Sequence, residues 1–188
     1  MKRLNPNSTL LFSTLALALV IVLTAPACQE TTMSPSSDAR VAYLKIRMTD
    51  DPGDYQQVNV DLQQLRAKVV DDSTGDEVWY DLATQAGIYD LLQLQNGLDT
   101  LVVNDSLPPG ELQELRLILG DQNTVMVDST LREMKVPSGS SSGLKIKLQQ
   151  VLVRDSISQV LLDFDAEESV VARGNGGYNL KPVIRVLP

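Results

Sequence analysis

An all-β fold, an antiparallel β-sandwich of the immunoglobulin or prealbumin-like kind, is what this sequence predicts. Three observations carry it. From Arg40 onward apolar residues recur with a period of two rather than 3.6. The runs marked in this way are short, and Gly, Pro, Asp and Ser clusters separate them at roughly regular spacing. No amphipathic helical stretch is long enough to organise a core, so strands must cover one another's apolar faces.

The first strand is read from Ala42, Leu44, Ile46 and Met48, which alternate with Tyr43, Lys45 and Arg47 and mark one buried and one wet face. Asp50-Asp51-Pro52-Gly53-Asp54 follows as a turn cluster. Val58, Val60 and Leu62 resume the alternation, which runs on through Leu65 to Val70 if a bulge near Gln63-Gln64 absorbs the change of phase. Asp71–Asp76 reads as a hairpin turn and Glu77–Asp81 as its answering strand. Ile88–Leu94 fits a short helix, a turn or a buried strand equally well. Leu98–Val103, Glu111–Leu119, Thr124–Val127, Leu144–Val153, Gln159–Phe164 and Asn179–Leu187 complete the strands. Pro108-Pro109-Gly110, Pro137–Gly143 and Arg173–Gly177 separate them as turns or loops.

Ahead of this domain, Met1-Lys2-Arg3 carries the only charges before residue 30, and an apolar run covers Leu10–Leu23. Small residues Ala25 and Ala27 then lead to Cys28, the sole cysteine. A basic start, a short apolar stretch and a small-residue cleavage site make a secretory signal, and the stretch is shorter than the roughly 20 residues of a membrane-crossing helix. A cysteine directly after the small residues resembles a bacterial lipobox, which implies a lipid (palmitate among its acyl chains) on Cys28 and attachment to the membrane. Ala25 stands where such boxes usually have Leu. The organisation expected is a lipoprotein signal over residues 1–27, a polar tether over 28–38 and one domain over 39–188. Gln29 after the cysteine favours the outer membrane by resemblance to bacterial sorting rules.

Composition removes several classes of function. Cleavage leaves 188 − 27 = 161 residues with a net charge of −8 − 2 = −10. An acidic surface repels nucleic acid, which is not expected as a partner. Histidine is absent, and with it the commonest general base and transition-metal ligand. With Cys28 lipidated, no thiol remains for a disulfide, a zinc site or nucleophilic catalysis.

Seven stretches in order resemble one family: Leu44–Leu65, Val78–Leu82, Tyr89–Gly97, Leu107–Leu119, Val136–Lys145, Leu162–Val170 and Tyr178–Val186. Together they look like the bacterial domain-of-unknown-function family numbered 4382, found in secreted lipoproteins, particularly of Bacteroidetes-type bacteria. One departure is Leu112, where the family often has an aromatic residue. The resemblance implies a β-sandwich-like extracytoplasmic domain and brings no activity with it.

Four groups of residues invite chemistry. Asp50, Asp51 and Asp54 could offer the oxygen ligands that Ca²⁺ prefers, although their spacing is not that of an EF-hand and an Asp-led turn explains them as well. Asp163 and Asp165 share a strand face, the equipment of a carboxylate-dependent glycan hydrolase. They are more simply read as a solvated strand face or as partners of Lys145, Lys181 or Arg185, with a cross-strand ladder to Lys145 and Lys147 at the same i, i+2 spacing as the specific expectation. Ser138, Ser140, Ser141 and Ser142 lie in a glycine-flanked loop without a histidine base. Of the adjacent Trp79 and Tyr80, one must face the core, and an outward Tyr80 could stack on a sugar.

The reading these observations support is a non-catalytic, lipid-anchored envelope module, with no catalytic residue and no obligatory cofactor, that binds a glycan or an envelope protein. A hydrolase built on Asp163 and Asp165 is the alternative, and an assembly subunit with an open sheet edge is another.

Overall fold

A computed structural model describes residues 41–51, 54–137 and 143–188. The expected signal segment, Cys28, the tether and the serines at 138 and 140–142 lie outside the described residues.

The order of elements is β1 (Ala42–Thr49), β2 (Gln57–Asp71), β3 (Glu77–Asp81) and β4 (Gly87–Asp90), then a 3₁₀ turn (Leu91–Leu94). It continues with β5 (Thr100–Leu107), β6 (Gly110–Leu119), β7 (Thr124–Val127), β8 (Thr130–Lys135) and β9 (Leu144–Leu152). The last part holds β10 (Ile157–Phe164), a single helical turn α1 (Ala166–Ser169), β11 (Val170–Ala172), β12 (Tyr178–Leu180) and β13 (Ile184–Leu187). The all-β, sandwich-like class is therefore the one the sequence predicts.

Two sheets share one core. The smaller has the order β13-β10-β1-β5 and the larger β11-β12-β8-β7-β2-β6-β9, with β3 and β4 also on β2. The spine of the large sheet is β2. One of its edges pairs with β7 and then β6, the other with β4 and then β3. Its phase changes at the bulge between Leu62 and Gln64, so that Val58, Val60 and Leu62 and then Leu65, Ala67 and Val69 all face inward. Against them pack Leu44, Ile46 and Met48 of β1 and Leu162 and Phe164 of β10. Removing a side chain such as Phe164, which has no exposed surface, costs about 3–5 kcal/mol in comparable cores.

The sheets are mixed rather than wholly antiparallel. β1 pairs in parallel with β10, placing Thr49 opposite Asp163, and β8 pairs in parallel with β12. A parallel pair needs a long crossover rather than a hairpin, and between β1 and β10 the crossover is most of the domain. The run Asn179–Leu187, expected as one strand, is two strands in different sheets. Pro182 has no N–H to donate, and the Lys181 N–H turns to the Ser169 carbonyl at 2.8 Å, so the ladder breaks there. The ambiguous stretch 88–94 divides: Ile88–Asp90 belong to β4, which is not the buried strand expected since Ile88 is exposed, and the Asp90 carboxylate then caps a 3₁₀ turn.

Where β6 hands over to β7, a buried polar lock holds the corner. The Asp61 N–H donates to Oδ1 of Asn123 at 2.9 Å, and the Asn123 amide donates to the Gly120 carbonyl at 2.7 Å. Oδ2 of Asp61 accepts from the Gln122 N–H at 3.1 Å. Asp61 and Asn123 are almost wholly buried, and these bonds satisfy them.

Candidate functional site

Where β1 ends, the chain meets three other segments. The Thr49 hydroxyl sits 2.8 Å from the carbonyls of both Leu94 and Leu98, which ties the strand to the turn after the 3₁₀ element. Asp50 then points inward. Its Oδ1 accepts from the Ala166 N–H at 2.8 Å and its Oδ2 from the Gln95 amide at 3.0 Å. Burial is the main reason its pKa rises to about 6 from an ordinary 3.8. The two hydrogen bonds oppose the rise, and Asp163 and Asp165 add to it.

Asp163 reaches the same place through the parallel pairing of β1 with β10. Burial, with the neighbouring Asp51 charge second, raises its pKa, while Arg185 and the Asp51 N–H pull it back. Arg185 comes from β13, in register with Asp163. One guanidinium nitrogen lies 2.8 Å from Asp165 and 3.7 Å from Asp163, and the other 3.0 Å from Glu168. The bond to Asp165, then the charge of Glu168, push the Arg185 pKa upward. Asp165 uses its second oxygen to cap α1, accepting from the Glu168 N–H at 2.8 Å. The Asp165-x-x-Glu168 spacing is a capping box by residue type.

These groups border an open cleft of about 440 Å³ walled by Asp50, Asp51, Asp99, Asp163 and Arg185. Asp99 is ion-paired with Arg47. Asn96 and Gly97 form its lip, both in the left-handed region at φ 58° and 81°, which Asn and Gly tolerate best. Asp165 does not line the cleft. The chain enters β1 at the opposite end, about 23 Å away by the rise of a strand.

The acidic turn and the Asp163–Asp165 pair, separate in the sequence reading, thus meet at one end of the small sheet. The turn itself divides: Asp50 is buried, whereas Asp51 and Asp54 are exposed, and the Asp54 N–H bonds to Glu167 at 3.1 Å. Among the described residues no three Asp or Glu side chains form a group fit to hold a metal ion.

The expected ladder of Lys145 and Lys147 with Asp163 and Asp165 does not form. The lysines lie on β9 in the large sheet, opposite Arg116 and Glu114, while Asp163 lies on β10 in the small sheet, with Asp165 just beyond its end. Arg185 takes the place of both lysines. The sequence offers Arg185 only as one of three cations that could partner this pair, and the split of the last strand is what selects it. The signal available was the Asp165-x-x-Glu168 cap, which ends β10 and turns the chain.

The Trp79 and Tyr80 faces are also reversed from the expected order. Tyr80 stands opposite the buried Ala67 and packs on the core, and Trp79 stands opposite Lys68 on the outer face. Guanidinium groups of Arg116 and Arg66 lie 4.3 and 5.7 Å from the Trp79 ring centre. Tyr80 is therefore not the outward aromatic.

Fold and site together define an all-β sandwich domain closed at one end by a buried cluster of carboxylates around a single arginine. The chain belongs to the domain of unknown function family DUF4382, whose family model matches residues 41–182. Arg185 and β13 lie beyond the matched segment. A search of the curated proteins finds no match.

Proposed function

We propose that this chain is an envelope lipoprotein, held through a lipid on Cys28 at the outer membrane, whose sandwich binds a glycan or an envelope protein without catalysing a reaction. One observation supports the non-catalytic reading above the others. Both oxygens of Asp165 are occupied, by the cap of α1 and by Arg185, so the Asp163–Asp165 pair does not face the cleft together. Of the carboxylates that join Asp163 there, Asp50 is held by the Ala166 N–H and the Gln95 amide and Asp99 by Arg47. Glycoside hydrolysis needs two carboxyl groups about 5–9.5 Å apart on either side of one sugar bond.

The competing reading, a hydrolase, draws on the raised pKa of Asp163 beside an open cleft. Detergent-phase partition of the full chain and of Cys28→Ser tests the anchor. Wild type is expected in the detergent phase and the variant in water. A glycan array and a pull-down from envelope extract, both with the detergent-solubilised chain, test binding. Cleavage of a captured polysaccharide by wild type but not by Asp163→Asn would reverse the assignment in favour of the hydrolase.

A further inference from the structure

Strand register builds two cross-strand rows on the outer face of the large sheet, running from β3 through β2 and β6 to β9. One row is Asp81–Arg66–Arg116–Lys145. The next is Trp79–Lys68–Glu114–Lys147. The whole chain has 24 acids against 16 Lys and Arg, yet five of those cations sit in these two rows. Their acidic partners are at hand: Asp81 for Arg66, Glu114 for Arg116 at 3.1 Å and Glu77 for Lys68 at 3.1 Å. Lys145 and Lys147 are exposed and have no ion pair among the described residues.

Arg66, Arg116 and Lys145 stand directly opposite one another on three adjacent strands, the two arginines each beside one carboxylate and Lys145 beside none among the described residues. Trp79 holds the two guanidinium groups in place through its ring. An open cleft of about 640 Å³, walled by Lys68, Glu114, Lys147 and Leu148, runs beside the second row.

We propose that this face binds an acidic glycan, a chain of sugar rings that carry carboxylates. The proposal names the ligand class for the binding-module reading above and rests on it. Strands about 4.8 Å apart set the three cations over about 10 Å, a line that several carboxylates of one chain can follow. Arginine forks pair with planar carboxylates, and Trp79, partly exposed on the same face, adds an aromatic surface beside them. A nucleic acid duplex, with a charge every ~1.7 Å, meets far stronger repulsion from the acidic remainder of the surface.

The test uses polygalacturonate, with its fully methyl-esterified form as the uncharged control, against the detergent-solubilised full chain. Wild type is expected to bind the acid form and not the ester, and to release it as NaCl rises from about 0.05 to about 0.5 M. Lys145→Gln/Lys147→Gln, both at exposed positions, is expected to weaken binding about tenfold or more, and Trp79→Ala likewise. Equal affinity for acid and ester, or unchanged binding by the double lysine variant, would overturn the proposal, as would tighter binding to duplex DNA or to anionic vesicles. If it fails while the array or pull-down still captures a neutral glycan or a protein, the binding module stands without this ligand. If nothing is captured by any route, both readings fall.

Discussion

Asp50 and Ala166 stand 116 residues apart in sequence and are joined by one buried hydrogen bond of 2.8 Å, from the Ala166 N–H to Oδ1 of Asp50. The bond fastens the end of β1 to the start of α1. Because burial lifts the Asp50 pKa to about 6, above its ordinary 3.8, the folded protein binds this proton more tightly than the unfolded chain does. Its contribution to stability is greatest below pH 4, falls as pH rises through 4 to 6, and is level above that. In Asp50→Asn the side-chain carbonyl still accepts from Ala166, and Gln95 can turn its amide to match. The variant is expected to gain on wild type by up to about 3 kcal/mol between pH 4 and pH 7. Urea unfolding at both pH values measures this, and a constant difference between the two proteins would refute it.

Asp163 and Asp165 differ in what their loss costs. Asp165→Ala removes a helix cap and the closest partner of Arg185, and is expected to destabilise by about 2 kcal/mol. Asp163→Asn relieves a charge that burial already disfavours, so a change within about 1 kcal/mol is expected. Chemical denaturation of the two variants side by side decides it; a costlier Asp163→Asn would mean that its pairing with Arg185 dominates.

At the corner between β6 and β7, Asn123→Ala leaves the buried Asp61 N–H without an acceptor. A loss of about 1–3 kcal/mol follows. Gly120→Ala strikes the same corner from the other side, since a Cβ there would lie 2.1 Å from Oδ2 of Asp61. Thermal melts of both variants should fall below that of wild type, and an unchanged melt for either would show that the corner relaxes freely.

Calcium offers a further check on the acidic turn. With both Asp50 oxygens engaged by protein donors, Ca²⁺ at about 1 mM, compared with chelator, is expected to leave the melting temperature unchanged. A rise would signal binding to the native state by mass action.

Most of the strands could be read from alternation alone, because apolar residues on one face of a half-buried strand leave a period-two trace: β1, both halves of β2 with their bulge, and the β2–β3 hairpin. What escaped is local or long-range in identifiable ways. The β7–β8 hairpin turns on Asp128 and Ser129, both left-handed at φ 48° and 57°, without the Asn-Gly or Asp-Gly pair that usually announces such a turn. The Trp79 and Tyr80 faces could not be assigned because a five-residue strand bordered by polar residues has no apolar phase of its own. For the site, residue types marked Asp50, Asp163 and Asp165, but their meeting depends on the parallel pairing of β1 with β10. No local signal encodes a pairing between strands more than 100 residues apart, whereas Arg185, only 22 residues beyond Asp163, comes in through the antiparallel pairing of β13 with β10 once the last strand has split.

The central position of β1 has a mechanical meaning. It lies between β10 and β5, while β13 occupies an edge of the same sheet. A tug on the chain ahead of Val41 acts along the axis of β1, across hydrogen bonds that run roughly perpendicular to the strands. Both neighbours therefore share the load in shear, and no edge is available from which to unzip the strand one bond at a time. A domain suspended from its N-terminal side would resist extraction there far better than at β13, where the ladder can peel from Leu187 inward.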